Sequence, residues 1–264
     1  MQLNKTIIGM VHVAALPGTP KNSVAINVII NDAVEDARKL AKGGVAAIMI
    51  ENMHDRPYLN RTVGPEIVAS MTVVAQKIKQ EVGLPLGIQI LAGANKQALA
   101  VAMAAGLDFI RAEGFVFGHL ADEGMMNSDA GELLRYRKKI GAGNIKIWTD
   151  IKKKHSSHAV SADVSVAEMA RAAEFFLSDG VIVTGNATGM QASLDDVVEV
   201  QESTKLPLII GSGLDSKNIE DYWPYADAFI VGSSFKCNGH WQNTVDLARV
   251  KTFMQKVDLL RTKS

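Results

Sequence analysis

Two short glycine–serine segments stand out as places where the backbone could hold an anion. They are Ile210-Gly211-Ser212-Gly213 and Val231-Gly232-Ser233-Ser234, each directly after an apolar run. Glycine lets a backbone approach an anion closely, and the following N–H groups and serine hydroxyls can donate to phosphate oxygens. A second group could move protons. Asp150 ends an apolar run and is followed by Lys154 and His155, while Glu51 and Glu113 end or follow two earlier runs. Carboxylates facing a lysine or histidine suit proton transfer next to a carbonyl, with Asp150 as base or orienter and Lys154 or His155 polarising the carbonyl. His12, Asn52, Arg111, Thr184 and Gly185 end further runs and join the expected pocket. Of these polar groups, His12, Glu113 and Asp150 are the candidates for a divalent metal ion, which oxygen and imidazole donors would suit. No cofactor is otherwise implied.

These residues need a scaffold that brings strand ends together. Eight apolar runs recur along the chain: 7–11, 45–50, 86–90, 107–110, 145–148, 181–183, 208–210 and 228–231. Several lack polar alternation, as strands buried on both faces of a parallel sheet do, and helix-period segments separate them. Ser165 and Glu168 form a capping box, and Ser193 with Asp196 opens the next helix in a similar way. Gly43-Gly44, Gly83, Gly106 and Gly180 mark helix ends, and Pro85 and Pro207 mark strand starts. A short helix is expected around 216–222 and a closing helix over 244–257.

An open doubly wound sheet shares this β/α alternation. Eight regular units without a composition break favour a single (β/α)₈ TIM barrel over residues 1–264. In such barrels the site lies where the strands end, and the turns after strands seven and eight often bind phosphate. The longest segment without a pattern, residues 114–128, carries Phe115, Phe117, His119, Asp122 and Glu123. It fits a subunit contact or a lid, and the subunit contact predicts a homo-oligomer. Residues 184–189 (Thr184, Gly185, Asn186, Ala187, Thr188, Gly189) could add a third pocket wall.

Composition narrows the partners. Lys and Arg number 28 and Asp and Glu 28, so no global field attracts nucleic acid or an anionic membrane. No apolar run is long enough to span a bilayer, and the single Cys237 excludes an intrachain disulfide. The expectation is a soluble cytoplasmic chain, with an organelle left open for a chain that has lost a presequence.

The motifs also resemble a known family. Gly9-Met10-Val11-His12, Leu16-Pro17-Gly18, Glu51-Asn52, Phe109-Ile110-Arg111, Asp122-Glu123-Gly124, Leu134-Arg135-Tyr136-Arg137, Lys154-His155 and Val183-Thr184-Gly185 with Thr188-Gly189 are similar to the BtpA family across nearly the whole chain. The resemblance implies a barrel like the ribulose-phosphate-binding barrels. Some members carry sugar-metabolism names or the label phosphoribosylanthranilate isomerase, and a photosynthetic branch is linked to photosystem I assembly. Ala112-Glu113-Gly114 replaces a bacterial Val-Asn pair and Glu123 a common Gln, as in the animal branch. The combined expectation is a barrel that binds a small phosphorylated metabolite. It leans towards an enzyme that isomerises, epimerises or cleaves a sugar phosphate. The alternatives are a non-catalytic assembly factor and a metal-dependent hydrolase or lyase.

Overall fold

The structure is a computed structural model that describes residues 3–185 and 189–263. In chain order the elements begin β1 (Thr6–His12), α1 (Ile26–Gly43), β2 (Ala47–Glu51), α2 (Pro65–Val82), β3 (Leu86–Gln89), α3 (Asn95–Ala105) and β4 (Phe109–Ala112). Next come β5 (His119–Ala121), β6 (Gly124–Met126), α4 (Ala130–Lys139), β7 (Lys146–Ile151), β8 (Ser156–Ser157) and α5 (Val166–Phe175). The chain then runs through β9 (Gly180–Thr184), α6 (Leu194–Ser203), β10 (Leu208–Gly211), α7 (Ile219–Tyr222), β11 (Ala228–Val231) and α8 (Leu247–Lys263). Eight strands close into a parallel barrel in the order β1-β11-β10-β9-β7-β4-β3-β2. The ring shuts where β1 pairs with β2 on one side and β11 on the other.

Successive strand residues point to opposite faces, and this period of two divides the core. Ile8, Met10, Ala47, Met49, Phe109, Trp148, Ile182, Ile209, Ala228 and Ile230 fill the barrel interior. Their neighbours, such as Ile7, Val11, Ile48, Ile50, Ile147 and Val181, face the helices. Phe109 and Trp148 stack at 4.0 Å between ring centroids in the interior. Glycine makes room for them: a Cβ on Gly87 would lie 2.0 Å from the Phe109 ring, and one on Gly180 2.9 Å from Trp148 Cδ1.

The helix signals hold with one exception. Ser165 and Glu168 form the full capping box, and Ser193 accepts from the Asp196 N–H. Gly44, Gly83 and Gly106 take the left-handed conformation that ends α1, α2 and α3. Gly180 does not, since it is already the first residue of β9. Leu177 supplies the positive φ (65°) after α5 instead. The closing helix starts and ends later than its apolar spacing predicted, at Leu247 and Lys263.

Residues 114–128, expected to be irregular, contain an antiparallel hairpin. β5 pairs with β6, and β8 from the loop after β7 adds to its other edge. The loops after two adjacent barrel strands, β4 and β7, thus form one small sheet. No helix among the described residues is long and apolar enough to cross a membrane.

Candidate functional site at the barrel mouth

Extending the inward phase of each strand by two residues carries it from apolar to polar side chains. His12 follows Met10, Glu51 follows Met49, Gln89 follows Gly87, Arg111 follows Phe109 and Asp150 follows Trp148. Thr184, Gly211 and Gly232 continue the same phase on β9, β10 and beyond β11. Strand periodicity therefore delivers the expected residues to one mouth.

Arg111 and Asp150 meet there as a bidentate pair. Arg111 Nε and NH2 donate to the two carboxylate oxygens at 2.8 and 2.7 Å, with both side chains almost fully buried. Burial opposes the Arg111 charge, yet the Asp150 carboxylate holds it above its usual range. Both oxygens of Asp150 are engaged, so it orients a cation.

Glu51, His12 and Lys154 complete the inner wall. Burial pushes the Glu51 carboxyl up from the usual range, against the pull of Lys154 and Arg111. Burial and then the Arg111 charge pull the Lys154 ammonium down. His12 Nε2 lies 3.8 Å from Glu51 Oε2, and its Nδ1 lies 2.9 Å from the Trp241 carbonyl. Burial, helped by the Lys236 charge, keeps the imidazole well below its usual range.

The two glycine–serine turns border the same space. After β10, Ser212 and Gly213 both take positive φ, at 91° and 66°. Gly213 cannot carry a side chain, since a Cβ would sit 2.3 Å from the Met190 carbonyl. After β11, Gly232 leads into a 3₁₀ turn over Ser233–Phe235. The Ser234 hydroxyl donates to the Leu214 carbonyl, tying the two turns side by side. These groups enclose a cavity of about 420 Å³. It is lined by His12, Glu51, Arg111 and Lys154 together with Ser212, Gly213, Gly232, Ser233 and Ser234. His12 lies next to Gly232, as the pairing of β1 with β11 requires.

Other expected residues sit behind this wall. Asn52 is one residue out of phase and turns away, bonding Asp55 Oδ2 and the Leu91 N–H at 2.8 Å each. Glu113 accepts from Gln89 Nε2 at 3.0 Å and faces Lys153 at 3.5 Å. His155 is exposed on its loop, and Gly185 packs under the Met190 backbone. Asn186, Ala187 and Thr188 lie outside the described residues. The three metal candidates, His12, Glu113 and Asp150, are not brought together as a ligand set. Among the described residues no group of three or more His, Cys, Asp or Glu could hold an ion. Asp150 is committed to Arg111, and Glu113 to Gln89 and Lys153.

Sequence reasoning missed four contributors. Lys153, from the lysine run, is buried between Glu113 and Glu123 at 3.5 Å from each. Burial opposes its charge, but the two carboxylates hold its ammonium above the usual range. Trp241 and Arg249 line the cavity from the long connection after β11 and from the first turn of α8. Arg249 Nε donates to the Ser234 carbonyl at 2.8 Å. Lys236, fully buried, pairs with Asp36 of α1 at 2.8 Å and pins that connection to the barrel. The available signal was the unusual length of the β11–α8 connection.

A closed parallel barrel with a polar mouth and paired turns after its last two strands defines a TIM-barrel protein. Its fold matches orotidine 5'-monophosphate decarboxylase from Methanocaldococcus jannaschii at a TM-score of 0.62. That likeness covers 96% of this chain and 98% of the other at 15% identity. The chain belongs to the BtpA family, whose model matches residues 3–259. An uncharacterized, mitochondrial protein of Caenorhabditis elegans is 48% identical over 260 residues, covering 97% of this chain and 94% of its own. The photosystem I biogenesis protein BtpA of Synechocystis is 32% identical over 255 residues, covering 96% and 88%.

Proposed function

We propose that this barrel binds a small phosphorylated metabolite, of the sugar-phosphate kind, and moves a proton next to its carbonyl. Isomerisation, epimerisation and aldol-type cleavage share that step. The observation that carries the reading is one cavity lined both by the two backbone turns and by titratable groups. The phosphate would lie against Gly211, Ser212, Gly213, Gly232, Ser233 and Ser234, where N–H groups can approach it without side chains intervening. Its binding energy would then serve to position the rest of the molecule.

The titratable groups of the cavity supply an acid and a base. A carboxyl raised by burial is a stronger base, and an ammonium lowered by burial is a stronger acid, which suits Glu51 and Lys154 to exchange protons with one substrate. Arg111, clamped by Asp150 through Nε and NH2, keeps its NH1 outside that pair and lines the cavity. A developing oxyanion is a fitting partner for it. Asp150 is the positioning residue for Arg111.

Thermal stability against a panel of sugar phosphates and their dephosphorylated counterparts tests this. A ligand at 100 times its Kd stabilises by about 2.7 kcal/mol, enough to raise Tm measurably. A shift with phosphate esters alone supports the reading, and no shift with any of them removes it.

A second reading, a non-catalytic assembly factor, draws on the printed name of the Synechocystis relative. It also draws on the apolar residues Leu120 and Met125 that the β5–β6 hairpin exposes. It predicts that Leu120→Ser with Met125→Ser abolishes complementation while Glu51→Gln does not.

A further inference from the structure

We propose that His12 accepts a hydrogen bond from a substrate hydroxyl through Nε2, and that the Trp241 backbone carbonyl fixes the ring for this task. The inference rests on the phosphate-ester reading and narrows it to hydroxylated esters. A carbonyl oxygen only accepts, so at 2.9 Å from Trp241 O the Nδ1 atom must carry the proton. In the neutral ring Nε2 is then a bare lone pair. The ring is neutral because it is deeply buried and because Lys236 opposes a second proton. The 3.8 Å to Glu51 Oε2 is too long for a hydrogen bond, so Glu51 does not occupy Nε2.

The same atom opens on the phosphate wall. His12 has 5% of its side chain exposed and lines the cavity, so a donor reaches Nε2 through the cavity. Gly232 lies beside this edge of the ring: a Cβ built there would be in ordinary contact with it, 3.7 Å from Nε2 and 3.6 Å from Cε1. Nε2 therefore sits beside the phosphate turn on one side and Glu51 on the other. A ligand whose phosphate rests on Gly232 would bring to Nε2 an atom only a few bonds from its phosphorus. A hydroxyl there is a donor that a neutral imidazole can accept. An alkyl phosphate offers none.

The test separates the tether from the accepting atom. Asparagine can place its amide nitrogen near the imidazole Nδ1 position, so His12→Asn keeps a donor for the Trp241 carbonyl and lacks Nε2. Binding of glycerol 3-phosphate and of n-propyl phosphate is measured by calorimetry on both proteins. Wild type is expected to prefer the hydroxylated ester by about fivefold, the worth of one hydrogen bond, and His12→Asn to bind both equally. Nitrogen chemical shifts of His12 at pH 7 are expected to show the Nδ1–H tautomer. A preference that survives in His12→Asn, or a wild type that binds both esters equally, overturns the inference while leaving the phosphate reading in place. An Nε2–H tautomer or an imidazolium also overturns it. If wild type binds neither ester, the phosphate reading falls and the hydroxyl claim falls with it.

Discussion

Arg111 and Asp150 meet across the β4–β7 boundary, Asp150 standing two residues beyond Trp148, the register partner of Arg111. They share two hydrogen bonds of 2.8 and 2.7 Å, with the carboxylate 1% exposed. A buried pair of this kind costs desolvation on both sides, and breaking it strands a charge. Asp150→Ala is expected to lower stability by about 3–5 kcal/mol, read by denaturant unfolding. Arg111→Met combined with Asp150→Leu should lose less than either single change, because no charge is left alone. A cost below about 1 kcal/mol for Asp150→Ala would mean that the pair does not anchor the mouth.

His119 gives the protein a stability term that acid removes. Burial, then the Lys153 charge, holds its pKa at about 4 against an ordinary 6.5. Between those values the unfolded chain takes a proton that the native chain refuses, so native stability falls as pH drops through that window. Thermal unfolding of wild type and His119→Gln over pH 4–7 isolates the effect, since other groups are common to both. Wild type should lose more stability than the variant on going from pH 7 to pH 4.5. Parallel curves would show that His119 titrates normally.

Leu177 ends α5 with φ at 65° while 68% exposed. A leucine pays a steric cost of about 1–2 kcal/mol in that conformation, and glycine does not. Leu177→Gly should therefore stabilise by about 0.5–1 kcal/mol after its extra unfolded-state freedom is deducted. A loss of Tm would show that the exposed leucine makes a compensating contact.

The barrel was legible because strands buried on both faces read as unbroken apolar runs. Their position at the ends of those runs assigned His12, Glu51, Arg111 and Asp150 to the mouth, and in the structure all four share the inward phase of their strands. The same phase could have warned that Asn52, adjacent to Glu51, turns away. What periodicity cannot reach is loop geometry. Lys152 and His155 take positive φ, at 49° and 54°, on either side of Lys153 and Lys154. Lys153 ends up buried beneath the small sheet while Lys154 faces the cavity, and no pattern in a run of three lysines encodes that choice. Trp241 reaches the mouth on the connection that the Lys236–Asp36 pair ties to α1, and Arg249 on the helix that follows it. That contact spans the length of the chain. Gly180 misled for a related reason, since its missing side chain serves Trp148 inside the barrel and not a turn.

The proposed function requires the turns after β10 and β11 to hold a phosphate group. Amide nitrogen–proton spectra recorded during titration with glycerol 3-phosphate test it most directly, with glycerol as control and Gly232→Asp as a second protein. The N–H signals of Gly213, Gly232 and Ser233 should shift and saturate with the ester, stay still with glycerol, and lose the response in Gly232→Asp, whose carboxylate repels the phosphate. Signals that stay still under phosphate, or that move equally in Gly232→Asp, would contradict it.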